Sequence, residues 1–259
     1  MEILVCVKRV PDASENEISV EAGGADISRE DLVYAVNEWD NYAVEEAIQI
    51  VERVGGNVTV VALGDSEVEE VVRREMAMGA GQGLMVVDPA FEALDGLGVA
   101  KVLKAAAGKG SYDLILTGAQ AEDGAAQVGG MLAALLDWPY ASLVNLIEVK
   151  DNTLRIGREI EGGSQEINEI ETPCVLSIQT GINEPRYVGL RGIRKVASVE
   201  IPVLDGAALG LAAPELAPRT QRLDYFVPAV GAGAEMLTGS VPELAAQLVE
   251  LLRVNGGLN

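Results

Sequence analysis

The strongest constraint in this chain is an alternation. From residue 2 to about residue 138, short apolar runs take turns with segments whose apolar residues recur at helical spacing. The runs are EILVCV (2–7), NVTVVALG (57–64), GLMVVD (83–88) and YDLILTG (112–118). Each reads as a strand buried on both faces. The segments between are VNEWDNYAVEEAIQIVERVGG (36–56), EVEEVVRREMAMGA (67–80), residues 97–107 and AAQVGGMLAALLDW (125–138). Strand and helix recurring about every 25–30 residues predict an α/β fold, a parallel doubly wound sheet with helices on both faces.

In the first helix Tyr42, Ala43, Ala47, Ile48, Ile50, Val51 and Val54 form one apolar face, which places Glu45, Glu46, Gln49 and Arg53 outside. Asn37 or Asp40 can cap its start, and Gly55-Gly56 ends it. Ser66 with Glu69 has the spacing of a capping box for the second helix. Residues 12–36 are polar and without a period, and read as a long loop or a small hairpin.

After Pro139 the style changes. Apolar and polar residues alternate from Ser142 onward, with turns at Asp151-Asn152 and Gly162-Gly163, and the apolar CVLSIQ (174–179) closes the region. This predicts a β-hairpin or meander inserted before one last buried strand. Residues 201–239, rich in Pro, Gly and Ala, read as an extended arm. SVPELAAQLVELLRV (240–254) is an amphipathic helix with a capping box at Ser240 and Glu243 and a stripe of Leu244, Leu248, Leu251 and Leu252. The domain division follows: 1–200 a nucleotide-binding domain, 201–259 an arm and helix for another surface.

Composition excludes several functions. With 40 acidic and 19 basic residues the formal charge is −21, which disfavours nucleic acid and anionic membranes as partners. No stretch approaches the ~20 apolar residues of a membrane span, and no secretory leader opens the chain. Cys6 and Cys174 each lie in an apolar run and read as buried reduced thiols, as in a reducing cytoplasm. Without histidine the usual general base and the commonest metal ligand are missing. No catalytic residue and no metal site are predicted.

Ligands of doubly wound sheets bind beyond the carboxyl ends of the strands, near the switch point. Three segments fall at such ends: 6–9, 63–66 and TGAQAEDGAAQVGG (117–130). In the last, small residues and a helix start can bring main-chain N–H groups to a phosphate. It matches neither the dinucleotide fingerprint nor the P-loop, and a tight strand-to-helix turn is the plainer alternative. Trp39 either covers a core edge or stacks near a flavin or adenine ring. Trp138 reads as a helix-end packing residue. The pairs Glu45-Glu46 and Glu69-Glu70 read as solvated.

Against this acidity stands NEPRYVGLRGIRKV (183–196), with Arg186, Arg191, Arg194 and Lys195 crowded around Leu190. One reading is a surface loop that neutralises an acidic body. The other is a small hot spot: one apolar knob for a partner's pocket, with arginines at its rim.

ILVCVKRVPD (3–12), NEWDNYAVEEA (37–47), TGAQAEDGAAQVGGMLAALLDWP (117–139) and INEPRYVGLRGIRKV (182–196) together resemble the beta, or small, subunit of electron transfer flavoproteins. The resemblance runs from Met1 to about Pro202. It implies a Rossmann-like, adenine nucleotide hydrolase-like domain that buries a structural AMP and pairs with an alpha subunit carrying the redox FAD. By family position the AMP contacts are Cys6, Asn37, Glu38, Trp39, Asp40, Leu63, Asp123, Gly124, Ala125, Ala126, Gln127, Val128 and Gly129, through main chain at Cys6 and Leu63. Trp39 matches an aromatic near the flavin face. The resemblance implies docking of client dehydrogenases through Tyr187, Leu190, Arg191 and Ile193, with Leu190 as anchor. It also implies a downstream acceptor such as a membrane quinone oxidoreductase. Asp40 stands where many members have cysteine or another small residue, and NEWD resembles the branch serving an amine dehydrogenase. The 118–130 loop is one residue short and lacks a second acid after Asp123. DGAAQVGG also resembles the bifurcating members, in which a second FAD that accepts hydride from NADH replaces AMP. A stand-alone adenine-nucleotide binding protein of the stress-protein kind is a third reading, which the arm at 201–239 disfavours.

Overall fold

The computed structural model describes residues 1–121, 124–231 and 233–257. The chain forms two compact units: Met1–Ile18 with Arg29–Leu223, and Ser19–Ser28 with the segment from Asp224 onward.

In chain order the first unit contains β1 (Glu2–Val7), β2 (Arg9–Pro11), β3 (Tyr34–Val36), α1 (Glu38–Val54), β4 (Asn57–Gly64), α2 (Val68–Met78), β5 (Gln82–Val87), α3 (Gly96–Ala107), β6 (Leu114–Gly118) and α4 (Val128–Leu136). It continues with β7 (Tyr140–Lys150), β8 (Thr153–Ile160), β9 (Ser164–Glu171), β10 (Cys174–Ile178), α5 (Leu190–Val196), β11 (Val203–Leu204) and α6 (Gly206–Leu209). Nine strands form one sheet in the order β11-β5-β4-β1-β6-β10-β7-β8-β9. From β11 to β7 all neighbours are parallel, and β7, β8 and β9 pair antiparallel. The fold is the α/β class that the alternation predicts.

Period two explains both cores. Ile3, Val5 and Val7 of β1 enter one apolar cluster with Val44, Ala47 and Ile48 of α1 and Val71, Val72 and Met76 of α2. Leu4 and Cys6 enter the other with Ala100, Leu103 and Ala106 of α3 and Leu132 and Ala133 of α4. Trp138 packs at the edge of the second cluster, as predicted for a helix-end residue. Both cysteines are free and buried. Burial pushes the Cys174 thiol up to about 12.

Several local details differ from the sequence reading. Ser66 and Glu69 form no capping box. Instead Asp65 accepts from the Glu67 N–H at 2.9 Å and its carbonyl from Val68, so α2 opens on an Asp turn. α4 starts at Val128 rather than 125, because Ala126 sits at φ 54°, outside the helical region. The meander turns fall as expected, with Asp151 at φ 52° and Gly162 and Gly163 at 78° and 71°. Residues 12–36 begin and end in the antiparallel pair β2–β3.

Residues 201–223 are no free arm. β11 pairs with β5, the Met85 N–H donates to the Pro202 carbonyl at 2.9 Å, and Ile201, Leu209 and Leu216 are buried. A two-residue strand has no readable period, so the sequence boundary at 200 and the end of the unit at Leu223 differ. In the second unit Val20 bridges to Ile27, and α7 (Val241–Val254) begins at the predicted capping box, where Ser240 N–H and Oγ each donate to Glu243 Oε2 at 2.7 Å. None of its described residues is buried, and Leu248, Leu251 and Leu252 are exposed.

Candidate functional site

The chain lays β4 and β5 on one side of β1, then crosses to β6 on the other. The switch point is therefore the carboxyl rim between β1 and β6. α1 begins beside it. The Asn37 N–H donates to the Lys8 carbonyl at 2.9 Å, fixing the helix start to the end of β1. Asp40 then stitches the two strands: its carboxylate accepts from the Lys8 N–H at 2.8 Å and the Gly118 N–H at 2.9 Å. Asn37 occupies the N-cap position without a side-chain capping bond, and its Nδ2 donates to the Gln120 carbonyl at 2.9 Å. Gly118 has no room for a side chain. A Cβ there would lie 2.6 Å from the Trp39 Cβ and closer still to Asp40 Oδ1.

Asp40 is only 5% exposed. Burial pushes its carboxyl up to about 7, against the opposing pull of the Gly118 N–H, the Asn37 side chain and the Lys8 N–H. The rim thus holds a carboxyl that changes charge near neutral pH. Cys6 lies one strand position away from this chemistry, with its side chain in the second core. Burial first, then the Asp40 charge, raise its thiol far above the ordinary range. That leaves only its main chain for a ligand, and the Leu63 side chain likewise packs against the second core. Glu38 is exposed and Trp39 half-buried.

On the other side of the rim α4 starts with no side-chain cap at Gln127, so the N–H groups of Val128, Gly129 and Gly130 have no intrahelical acceptor. Gly129 is buried against Ser177 Oγ and Thr117 Oγ1, where no Cβ fits. Those hydroxyls lie 2.8 Å apart, and the Tyr140 hydroxyl is 3.0 Å from Ser177. The sequence reading missed this network; its signal was one hydroxyl in each of two apolar strands, LILTG and CVLSI. Gln127 faces the start of α3, where a Cβ on Gly96 would come 3.0 Å from its Oε1. Gly124, Ala125 and Ala126 are exposed. Asp123 lies outside the described residues.

The donor set suits a phosphate group. It offers main-chain N–H groups at an uncapped helix start, glycines where a side chain would fill the space, and no lysine or arginine in residues 117–130. Among the described residues no group of three or more His, Cys, Asp or Glu could hold a metal, and no helix is long and apolar enough to cross a membrane. A cavity of about 520 Å³ lies farther along the same edge, beyond β10, lined by Leu143, Glu159, Ile160, Glu161 and Gln179. None of the predicted residues borders it.

The basic segment is a second construction. Glu45 and Glu46 of α1 are not solvated as the helical period implies, being 3% and 4% exposed. Residues 183–186 cover that face. The Arg186 Nε and N–H donate to Glu45 Oε2 at 2.8 and 3.1 Å, and Nη2 to Oε1 at 3.0 Å, while Nη1 and Nη2 reach Glu52 at 2.7 and 3.1 Å. Asn183 Nδ2 donates to the Tyr42 carbonyl and Glu46. Burial works against the Glu45 charge, yet the Arg186 bonds outweigh it and hold the carboxyl below its usual range. Arg186 therefore turns inward and is no docking arginine. At the far end Arg73 of α2 donates to the Val196 and Val199 carbonyls at 2.6 and 3.0 Å. Between the clamps Leu190 opens α5, and Gly192 lies against the Ala77 carbonyl with no space for a Cβ. Tyr187, Leu190 and Ile193 are 93%, 72% and 48% exposed, and Arg191 is exposed as well.

The family model for the electron transfer flavoprotein domain matches residues 25–209. The chain belongs to the electron transfer flavoprotein family. Its relatives include beta subunits: that of Methylophilus methylotrophus is 36% identical over 97% of this chain and 98% of its own length, and that of Bacillus subtilis 32% identical over 98% of each. The CarD subunit of a caffeyl-CoA reductase-Etf complex from Acetobacterium woodii is 34% identical over 98% of each chain. As an electron transfer flavoprotein beta subunit, the chain takes part in electron transfer.

Proposed function

We propose that this chain is the nucleotide-stabilised, docking half of a heterodimer. An alpha subunit carries the redox FAD. The rim of β1 and β6 holds a structural AMP, with Asn37 and Asp40 shaping one wall and the start of α4 receiving the phosphate. Client dehydrogenases seat Leu190 in a pocket and pass electrons to the flavin, which hands them to an acceptor such as a membrane quinone oxidoreductase. The chain performs no bond chemistry itself and works in the cytoplasm.

One observation carries this reading: α1 serves both constructions. Its first turn supplies the rim through Asn37 and Asp40, and its outer face holds the docking segment through Glu45, Glu46 and Glu52. A nucleotide that steadies the start of α1 steadies the support of Leu190. The test is Leu190→Ala in the heterodimer. The FAD spectrum stays intact while reduction by a client slows tenfold or more, a loss of at least ~1.4 kcal/mol. Unchanged electron transfer removes the anchor role.

The likeness to CarD, whose name places it in a caffeyl-CoA reductase complex, supports a second reading: a bifurcating complex in which this chain holds a second FAD that accepts hydride from NADH. Counting flavins separates the two. One FAD with AMP per heterodimer favours the carrier, and two FADs favour bifurcation.

A further inference from the structure

We propose that the hydroxyls of Tyr140, Ser177 and Thr117 form a relay that presents the Thr117 hydrogen to the phosphate of a nucleotide bound at the rim, with Ser177 and Tyr140 as positioning residues behind it. The proposal rests on the reading of that rim as an AMP site.

The three side chains come from three neighbouring strands, β6, β10 and β7. Thr117 lies in register with Ser177, and Tyr140 opens β7 on the far side of β10. Period two turns Thr117 and Ser177 to the face of Ile115 and Val175, which packs against α3 and α4. The first turn of α4 rests directly on them. A Cβ on Gly129 would collide with Ser177 Oγ and lie 2.9 Å from Thr117 Oγ1 and 3.4 Å from the Tyr140 ring. One on Gly130 would also come 3.4 Å from that ring.

Counting hydrogens sharpens the point. Ser177 Oγ is 2.8 Å from Thr117 Oγ1 and 3.0 Å from the Tyr140 hydroxyl, and among the described residues these hydroxyls bond only to one another. Three hydroxyls carry three hydrogens, and the two contacts use two of them. One hydrogen is left over, at one end of the chain. Tyr140 is 39% exposed and can give it to water. Thr117 and Ser177 are 5% and 2% exposed, and a buried O–H without an acceptor is costly. With water as the only outside acceptor, the chain therefore runs from Thr117 through Ser177 to Tyr140. Hydroxyl hydrogens rotate to suit their surroundings. An anion at the start of α4 reverses the order: Tyr140 donates to Ser177, Ser177 to Thr117, and Thr117 to the anion. Each bond then polarises the next, and the last is charge-assisted. Residues 117–130 contain no lysine or arginine, so neutral donors meet the phosphate charge there. The uncapped N–H groups of α4 supply some of them, and the relay adds one from the sheet.

A network that only packs the strands together would serve every ligand of the rim alike, whereas the relay serves the charged group alone. Adenosine separates the two. The test is calorimetric titration of the heterodimer, unfolded in urea and refolded with FAD alone, with AMP and separately with adenosine. Wild type binds AMP about tenfold or more tighter than adenosine. Thr117→Val keeps the shape and removes the hydroxyl; it weakens AMP about tenfold and adenosine less than about twofold. Thr117→Ser returns AMP binding to within about threefold of wild type. Tyr140→Phe keeps the ring, weakens AMP about three- to tenfold and leaves adenosine unchanged. At its partly exposed position Tyr140→Phe decides the matter even if the buried Thr117→Val protein fails to fold. Wild-type AMP affinity in Tyr140→Phe, or equal losses for AMP and adenosine, overturns the relay while leaving the AMP site. A wild type that binds AMP no better than adenosine overturns it as well. A wild type that binds neither, or that already holds two FADs after refolding, instead removes the AMP reading on which the proposal rests.

Discussion

Asp40 and Glu45 sit little more than one turn apart on the same helix and are almost equally buried, at 5% and 3% exposed. Their carboxyls shift in opposite directions. Asp40 meets main-chain N–H groups, and burial wins; Glu45 meets a guanidinium at two atoms, and the cation wins. The difference teaches where this fold keeps its charge. At the contact between α1 and Arg186 the charge is neutralised and permanent. At the rim it is left titratable, where an anionic ligand would otherwise meet a fixed negative charge.

The largest effect tests the neutralised side. Arg186→Ala strands Glu45 without its partner and costs about 3 kcal/mol, the low end for breaking a buried pair because Arg186 is itself a third exposed. Urea unfolding reads it, and a loss below about 1 kcal/mol would erase the contrast. Next comes Asp40→Asn. The amide offers one acceptor where two N–H groups donate, and costs about 1–3 kcal/mol in the same assay. Gly118→Ala presses a methyl into Asp40 and Trp39 and costs about 1–3 kcal/mol.

Acidity sets the two sides apart more finely. The raised Asp40 carboxyl contributes stability that is complete below the ordinary carboxylate range and lost as pH climbs to about 7. The lowered Glu45 contributes stability present near neutral pH and lost as pH falls below that range. Glu75, buried and also pushed up to about 7, has the sign of Asp40. The informative quantity is therefore the difference between wild type and Asp40→Asn across pH 4 to 8. Part of the wild-type decline disappears in the variant, and parallel curves would contradict the assignment. The smallest effect is that of Leu190→Ala on stability, within about 0.5 kcal/mol for an exposed side chain.

Much of this architecture was legible in the sequence. The four apolar runs became β1, β4, β5 and β6, the turns at Asp151 and Gly162 fell where expected, and the three strand-end segments share one edge. What was hidden has a common cause. Glu45 and Glu46 follow a helical period that points outward, and only a segment about 140 residues away covers them. β11 is too short to carry a period. Thr117, Ser177 and Tyr140 meet through the sheet rather than along the chain. Contacts distant in sequence leave no local pattern.

The rim between β1 and β6 is proposed to close on an adenine nucleotide. Its most direct test is to denature the purified heterodimer and identify what is released, with Asp40→Asn alongside. One AMP and one FAD are expected per wild-type heterodimer, and less AMP in the variant. Release of a single FAD with neither AMP nor a second flavin would contradict it.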